Sequence, residues 1–259
     1  MKILITGHKG FIGQNMVNAL NTDHTLSYYE WGDELPNFQG LDWCIHLGAI
    51  SSTNEKDVEK VMRQNYDFSC LVLSLCQMHK VNLQYASSAS VYGQVSSFSE
   101  DAPPSPQSPY AWSKYLFDRH VKSQTIENIF VQGFRYFNVH GPHEDHKDQP
   151  SPHHKFTKQA KETGVIKLFE GSDRYQRDFV PVEQLIDIHQ RFFNVKESGL
   201  WNVGTGSPTS FEYVARIIAK KYNARIEYIP MPDDLKAQYQ TYTCANLTNL
   251  KATLHASNG

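Results

Sequence analysis

The sequence predicts an α/β fold, a doubly wound parallel sheet joined to a smaller C-terminal lobe. Three observations predict it. Lys2-Ile3-Leu4-Ile5-Thr6 is a short β-branched run that Gly7 ends. Strand-like apolar runs then alternate with helix-length segments as far as Tyr136. From Gly141 to Lys155 that periodicity gives way to Pro, His and charged residues.

The elements follow in order. After Gly7 a helix starts near Phe11 and runs towards Leu20; Leu26 to Tyr29 is a second strand, and Trp43 to Leu47 a third. This is a βαβ opening. A helix through Val58 to His79, a strand at Leu83 to Ala86, a helix from Pro109 to Gln124 and a strand at Ile129 to Tyr136 continue it. Such an alternation winds into an open sheet with right-handed crossovers and helices on both faces. The expected division is a core over residues 1–140, with later segments crossing back, and a lobe made mainly of residues 141–259. The closing run His255 to Gly259 is polar, and fraying is expected there.

Bulk properties exclude several classes of function. With 25 basic against 27 acidic residues and a net charge of −2, the chain has no field that would hold it on nucleic acid or an anionic membrane. Cys44, Cys70, Cys76 and Cys244 lack the close paired spacing of a metal or redox site and read as small hydrophobes in a reducing compartment. No apolar run is long enough for a signal or a membrane span. The expectation is a cytoplasmic protein with no metal site.

Gly7-His8-Lys9-Gly10-Phe11-Ile12-Gly13 links the first strand to the first helix, the context in which a Gly-rich spacing is informative. Gly7 permits the tight turn, Gly10 lets the backbone approach a pyrophosphate, and Gly13 lets the helix pack on the sheet. The opening is therefore Rossmann-like, and a dinucleotide is its expected ligand. Glu30 ends the second strand, where a carboxylate accepts from an adenosine ribose and repels a 2′-phosphate, which favours NAD. Lys9 beside the turn argues for NADP by neutralising that phosphate, so NAD or NADP stays open.

Further on, Ser87-Ser88 ends a strand and Pro109-Tyr110-Ala111-Trp112-Ser113-Lys114 opens a helix. Tyr110 and Lys114, four apart, share one helix face. Bringing a tyrosine from about 10 to near 7 needs roughly 4 kcal/mol of preferential phenolate stabilisation. A lysine ammonium and an oxidised nicotinamide are the groups expected to supply it. Ser88 is placed to hydrogen-bond a substrate hydroxyl and the carbonyl it becomes.

The Gly-rich turn with Ser88, Tyr110 and Lys114 resembles the active site of the extended short-chain dehydrogenase/reductases. The resemblance narrows towards the heptose 6-epimerases of that family at Gly133 to Pro142, His146-Lys147, Lys167 to Ser172, Arg177 to Val180, Glu227 to Lys236 with Tyr239, and Asn246 to Leu250. It covers nearly the whole chain. It implies a nucleotide-diphosphate sugar as substrate and a homo-oligomer as the assembly. It implies Tyr110 as one acid/base residue and Lys147 as a second on the other side of the reacting carbon. It places Leu47, Gly48, Ala49, Ser51, Asn65 and Val139 at the cofactor. It places Asn138, Phe169, Glu170, Gly171, Ser172, Arg177 and Tyr239 at the substrate, with the Arg177 guanidinium suited to a diphosphate.

The chain departs from the family's pattern in three places. Eleven residues separate Glu30 from Asp42, where the family inserts a strand and helix whose loop covers the adenine, so a more exposed and less tightly held cofactor is expected. The loop Asp148 to Lys155 differs where sugar contacts are expected. Few residues follow Leu250, so no closing helix is expected. Two other readings remain: a uridine-linked hexose 4-epimerase, which would need Tyr110 but not Lys147, and a cofactor-binding scaffold without chemistry. Ala89-Ser90 after Ser88, in place of an acid pair, argues against a dehydratase.

Overall fold

The computed structural model describes residues 1–95, 97–233 and 239–257; Asp234, Leu235 and Lys236 of the quoted motif, and Asn258 and Gly259 of the closing run, lie outside the described residues. The chain begins with β1 (Lys2–Thr6), α1 (Phe11–Leu20), β2 (Thr25–Tyr29) and β3 (Trp43–His46). There follow α2 (Val58–Val61), a π-helical turn (Met62–Asp67), α3 (Phe68–His79), β4 (Asn82–Ser88), α4 (Pro109–Ser123), β5 (Val131–Tyr136) and β6 (Asn138–His140). Beyond these lie α5 (Pro152–Thr163), β7 (Val165–Phe169), β8 (Gln176–Arg177), β9 (Phe179–Pro181), α6 (Val182–Phe192) and β10 (Gly199–Val203). The last described elements are β11 (Thr209–Ser210), α7 (Phe211–Tyr222), β12 (Arg225–Ile229) and α8 (Thr248–Ala256).

Six parallel strands form the core sheet in the order β10-β5-β4-β3-β1-β2. β1 sits between β2 and β3, so the strand order reverses there and a crevice opens beyond the carboxyl ends of the strands. Alternation along β1 sends Ile3 and Ile5 to one face and Leu4 to the other. The first face packs with Met16 and Leu20 of α1 and Ile188 and Phe192 of α6; the second packs with Val72, Leu73 and Cys76 of α3 and Phe117 of α4. Residues 31–42 hold no strand or helix, so β2 is the sheet edge, as the short Glu30–Asp42 interval implies.

A second, smaller core belongs to the lobe. Phe156 and Ala160 of α5 meet Val214, Ala215 and Ile218 of α7 over the parallel pair β7–β12, through Ile166 and Leu168. β10 returns from the second half of the chain to pair with β5.

Two expectations change at the chain's end. A closing helix is present: α8 buries Leu250 and Leu254, four apart on one face, while Trp201 Nε1 of β10 donates to Thr253 Oγ1 at 3.0 Å. His255 and Ala256 are therefore helical. α4 ends at Ser123, with Gln124 already extended, and starts with Ser108 Oγ accepting from Ala111 N at 3.2 Å ahead of Pro109.

Polar chains cross the interior. Gln132 Nε2 donates to the carbonyls of Phe192 and Val195, so its oxygen accepts from Gln84 Nε2 at 3.0 Å. Gln84 Oε1 then faces His189 Nδ1 at 2.7 Å, which leaves Nε2 to accept from the Tyr136 hydroxyl at 2.6 Å. Burial pulls His46 and His189 down to about 3 and His153 to about 4, from 6.5. The unfolded chain protonates these rings below about 6.5 while the folded chain does not. Their contribution is complete above that pH and is lost as pH falls towards 4 and 3. Thermal melts from pH 7.5 to pH 4 are expected to show a melting temperature falling steadily below pH 6.5; a flat profile would contradict this assignment.

Candidate active site

A cavity of about 1510 Å³ lies between the carboxyl ends of the core strands and the lobe. Its cofactor end contains Gly7, Gly10, Phe11, Ile12 and Gly13 of the turn, Glu30, then Leu47, Gly48, Ala49 and Ser51 after β3, and Val139. Gly7 adopts φ +73°, and a Cβ there would lie 2.6 Å from Gly48 Cα. A Cβ on Gly13 would stand 2.1 Å from Gly7 O. The first turn of α1 carries no acidic residue and Gly10 caps it without a side chain, so its N–H groups are free for an anion. These features fit a dinucleotide pyrophosphate. Gly13→Ala is expected to abolish cofactor retention, measured by absorbance of the purified protein; full retention would contradict the role of this close approach.

Glu30 Oε1 accepts from Lys9 N at 2.6 Å and lies 3.3 Å from His8 Nδ1. The carboxylate is thus fixed at the cavity wall by the turn itself. The Lys9 side chain lines a separate, smaller depression with His143 and His146.

Asn65 does not line the cavity. The π-helical turn buries it, where Oδ1 accepts from Ile50 N at 2.8 Å and Nδ2 donates to Ile50 O and Ser113 Oγ at 3.0 Å each. Its amide is fully used in tying the loop after β3 to α4, and the side chain does not reach the cavity itself. Sequence spacing could not show this, because an ordinary helix would leave Asn65 on its surface.

Tyr110 and Lys114 occupy the first turns of α4 and both line the cavity. Lys114 Nζ donates to Ala86 O at 2.9 Å and lies 5.9 Å from the Tyr110 ring centroid. Burial draws the Lys114 ammonium down to about 8, against the pull of Asp118. Burial also raises the Tyr110 hydroxyl, while its hydrogen bond with Ser88 lowers it. Burial and the Ser88 hydrogen bond thus act on the phenol in opposite senses. Ser88 Oγ also accepts from Ser90 N at 3.1 Å and Ser90 Oγ at 2.9 Å, which fixes the hydroxyl that hydrogen-bonds Tyr110.

Lys147 lines the same cavity from the loop after β6. Its ammonium lies 4.8 Å from the Phe11 ring centroid and 3.6 Å from Glu144 Oε2. Burial lowers it and Glu144 raises it. In the differing stretch after Lys147, Gln149 Oε1 accepts from Thr53 N and Oγ1 at 3.3 and 3.0 Å, joining this loop to the one after β3.

At the lobe end, Asn138, Phe169, Ser172, Arg177 and Tyr239 line the cavity. Glu170 is exposed and Gly171 packs on Arg174, so these two do not reach it. Arg177 does not pair with its neighbour Asp178, whose carboxylate accepts from the backbone of Thr205, Gly206 and Ala245. Its guanidinium donates to the carbonyls of Gln176 and Gln240 and lies 5.4 Å from the rings of Phe211 and Tyr239. Burial lowers its pKa while Tyr239 raises it, and the guanidinium is a cation suited to an incoming anion. Lys155 on α5, Lys167 on β7 and Tyr175 before β8 also line this end; in the sequence Lys167 and Lys155 stand only as ends of motif stretches, and none of the three has a site role there.

The model of the NAD dependent epimerase/dehydratase family matches residues 3–204. ADP-L-glycero-D-manno-heptose-6-epimerase of Brachyspira hyodysenteriae is 36% identical over 292 aligned positions, covering 96% of this chain and 91% of that protein. The Helicobacter pylori protein of the same name superposes with a TM-score of 0.85 at 25% identity, over 98% of this chain and 90% of the other. A UDP-N-acetylglucosamine 4-epimerase from Methanobrevibacter ruminantium superposes at 0.88 with 20% identity, over 98% and 91%, a likeness of fold. With the Gly-rich turn, Ser88, Tyr110 and Lys114 assembled at one cavity, this chain belongs to the NAD-dependent epimerase/dehydratase family.

Proposed function

We propose that this chain is an isomerase that converts ADP-D-glycero-D-manno-heptose to its L-glycero epimer by transient oxidation at C6. The observation that carries the reading is that Tyr110 on α4 and Lys147 on the β6 loop reach one cavity from separate elements. Inverting a carbon through a ketone requires a proton to be handled on each of its two faces, and one fixed side chain serves both poorly. Bound at the Gly-rich turn, the nicotinamide supplies reversible two-electron oxidation of the sugar carbon. Tyr110 takes the hydroxyl proton, Ser88 holds the sugar oxygen, and Lys147 delivers the proton after the ketone has turned. Arg177 and Tyr239 hold the diphosphate, with Asn138, Phe169 and Ser172 against the sugar. Glu30, fixed at the cofactor wall, disfavours a 2′-phosphate, so NAD is the expected cofactor. The substrate lobe comprises most of residues 141–259, and the protein works in the cytoplasm. No helix among the described residues is long and apolar enough to cross a membrane.

Proton NMR of the protein incubated separately with ADP-D-glycero-D-manno-heptose and UDP-glucose tests the substrate. Conversion of the heptose at C6 is expected, and conversion of the glucose alone would replace this reading with a 4-epimerase. The assembly is a homo-oligomer. Leu71, Leu75 and Met78 form one apolar strip along α3, with Leu71 41% and Met78 72% exposed. Light scattering should give a multiple of the 29.7 kDa chain mass, and a single-chain mass would refute this.

A further inference from the structure

We propose that Glu144 is the positioning residue for Lys147: its buried carboxylate clamps the loop from Gly141 to Ser151 and holds the lysine ammonium at the cavity. The proposal rests on the reading of Lys147 as the second acid/base group. Glu144 has no exposed side-chain surface, yet it sits in the loop that joins the core to the lobe. Its Oε1 accepts from Gly141 N at 3.1 Å and from Ser151 Oγ at 2.7 Å, and its Oε2 accepts from Ser151 N at 2.6 Å. One carboxylate therefore closes both ends of the loop, and the Glu144 carbonyl accepts from Lys147 N at 3.0 Å to form the turn between them. Ser151 in turn caps α5 by accepting from His154 N, so the loop is anchored to the lobe as well as to β6. Lys147 Nζ meets Glu144 Oε2 on one side and the Phe11 ring on the other.

Among the described residues Glu144 is the acid that acts on Lys147, while Glu183 acts together with it on the neighbouring His140. His140 on β6 and His153 on α5 stack at 3.8 Å beside the Glu144–Lys147 pair, and burial lowers both, His153 to about 4. His154 Nε2 lies 3.6 Å from Oδ1 of the exposed Asp145. From α1 the facing group is the uncharged Phe11 ring. Glu144 is the group that opposes the effect of burial on Lys147. A long, flexible lysine in a polar loop becomes a fixed proton donor because this acid lies three residues before it.

The test uses E144Q, E144D, K147Q and the double variant E144Q/K147Q in the full-length protein with its cofactor. For E144Q, kcat is expected to fall at least tenfold with KM changed less than threefold and cofactor content unchanged. Without its counter-charge, Lys147 loses its proton at lower pH, so the alkaline limb of kcat in the D-to-L direction moves down by one pH unit or more. E144D, which keeps the charge, should return that limb towards its original place. The double variant should be no slower than K147Q, since Glu144 acts through Lys147. An unchanged limb in E144Q, or a double variant slowed by the product of the two single effects, would overturn the positioning role. If K147Q itself keeps full activity, the two-base reading fails and this inference fails with it; if K147Q is inactive while E144Q behaves as the parent, only this inference fails.

Discussion

Replacing Tyr110 with phenylalanine is expected to lower kcat by about a hundred to ten thousand times while leaving cofactor content and melting temperature near those of the parent. The phenol ring packs at the start of α4, and its carbonyl, not its hydroxyl, accepts the structural bond from Ser113 Oγ at 2.8 Å. The hydroxyl meets Ser88 and the cavity, so removing it subtracts chemistry with little packing. Burial raises Tyr110, and a positive charge beside the phenol, as an oxidised nicotinamide would supply, favours proton transfer nearer neutral pH. Hence the tyrosine of the cofactor-free protein should ionise above about 10 and that of the NAD-loaded protein well below it. An ultraviolet difference titration between the parent and Tyr110→Phe reads both values. Parent-level turnover in the variant would remove Tyr110 from the mechanism.

Asp118→Asn is expected to cost about 3–5 kcal/mol of stability, because it breaks a buried ion pair by neutralising one partner. Asp118 follows Lys114 by one helical turn and lies under the active site. Its Oδ2 accepts from Arg135 Nε at 3.0 Å and Ser87 Oγ at 2.9 Å, and its Oδ1 from Tyr85 at 3.2 Å. Arg135 continues to Tyr92 at 3.0 Å, which donates to Asn202 Oδ1 at 2.7 Å on β10. An amide nitrogen in place of either oxygen would face donors, and the Arg135 charge would remain buried without its counter-ion. Lys114, which Asp118 raises, would be drawn below its present value of about 8. Urea unfolding followed by circular dichroism measures the loss; a change under about 1 kcal/mol would show that the pair is replaceable.

Much of this arrangement was legible in the residues themselves. β1, α1 and the Gly-rich turn are local features, and the strand–turn–helix context alone fixes what the glycines must do. Tyr110 and Lys114 were legible for the same reason, since a four-residue spacing converges on any helix. α8 was not, because Leu250 and Leu254 become a buried face only once β10 and Trp201 lie beneath them. Asn65, which the resemblance places at the cofactor, is instead turned inward by a π-helical turn, and a spacing of 3.6 residues per turn gives no sign of that. Glu144 carried the faintest signal, an acid three residues before a lysine. Its four partners are Gly141, Lys147 and the backbone and hydroxyl of Ser151, and nothing in the sequence tells that the loop folds back on this carboxylate.

The most direct test of the central claim is the fate of C6 in heavy water. The protein with its bound cofactor is incubated with ADP-D-glycero-D-manno-heptose in D2O, and the product is followed by proton NMR and mass spectrometry. Inversion at C6 with no deuterium on that carbon is the predicted result, because the hydrogen leaves and returns within one site while Tyr110 and Lys147 handle only oxygen-bound protons. Deuterium at C6, or a heptose left unchanged, would contradict it.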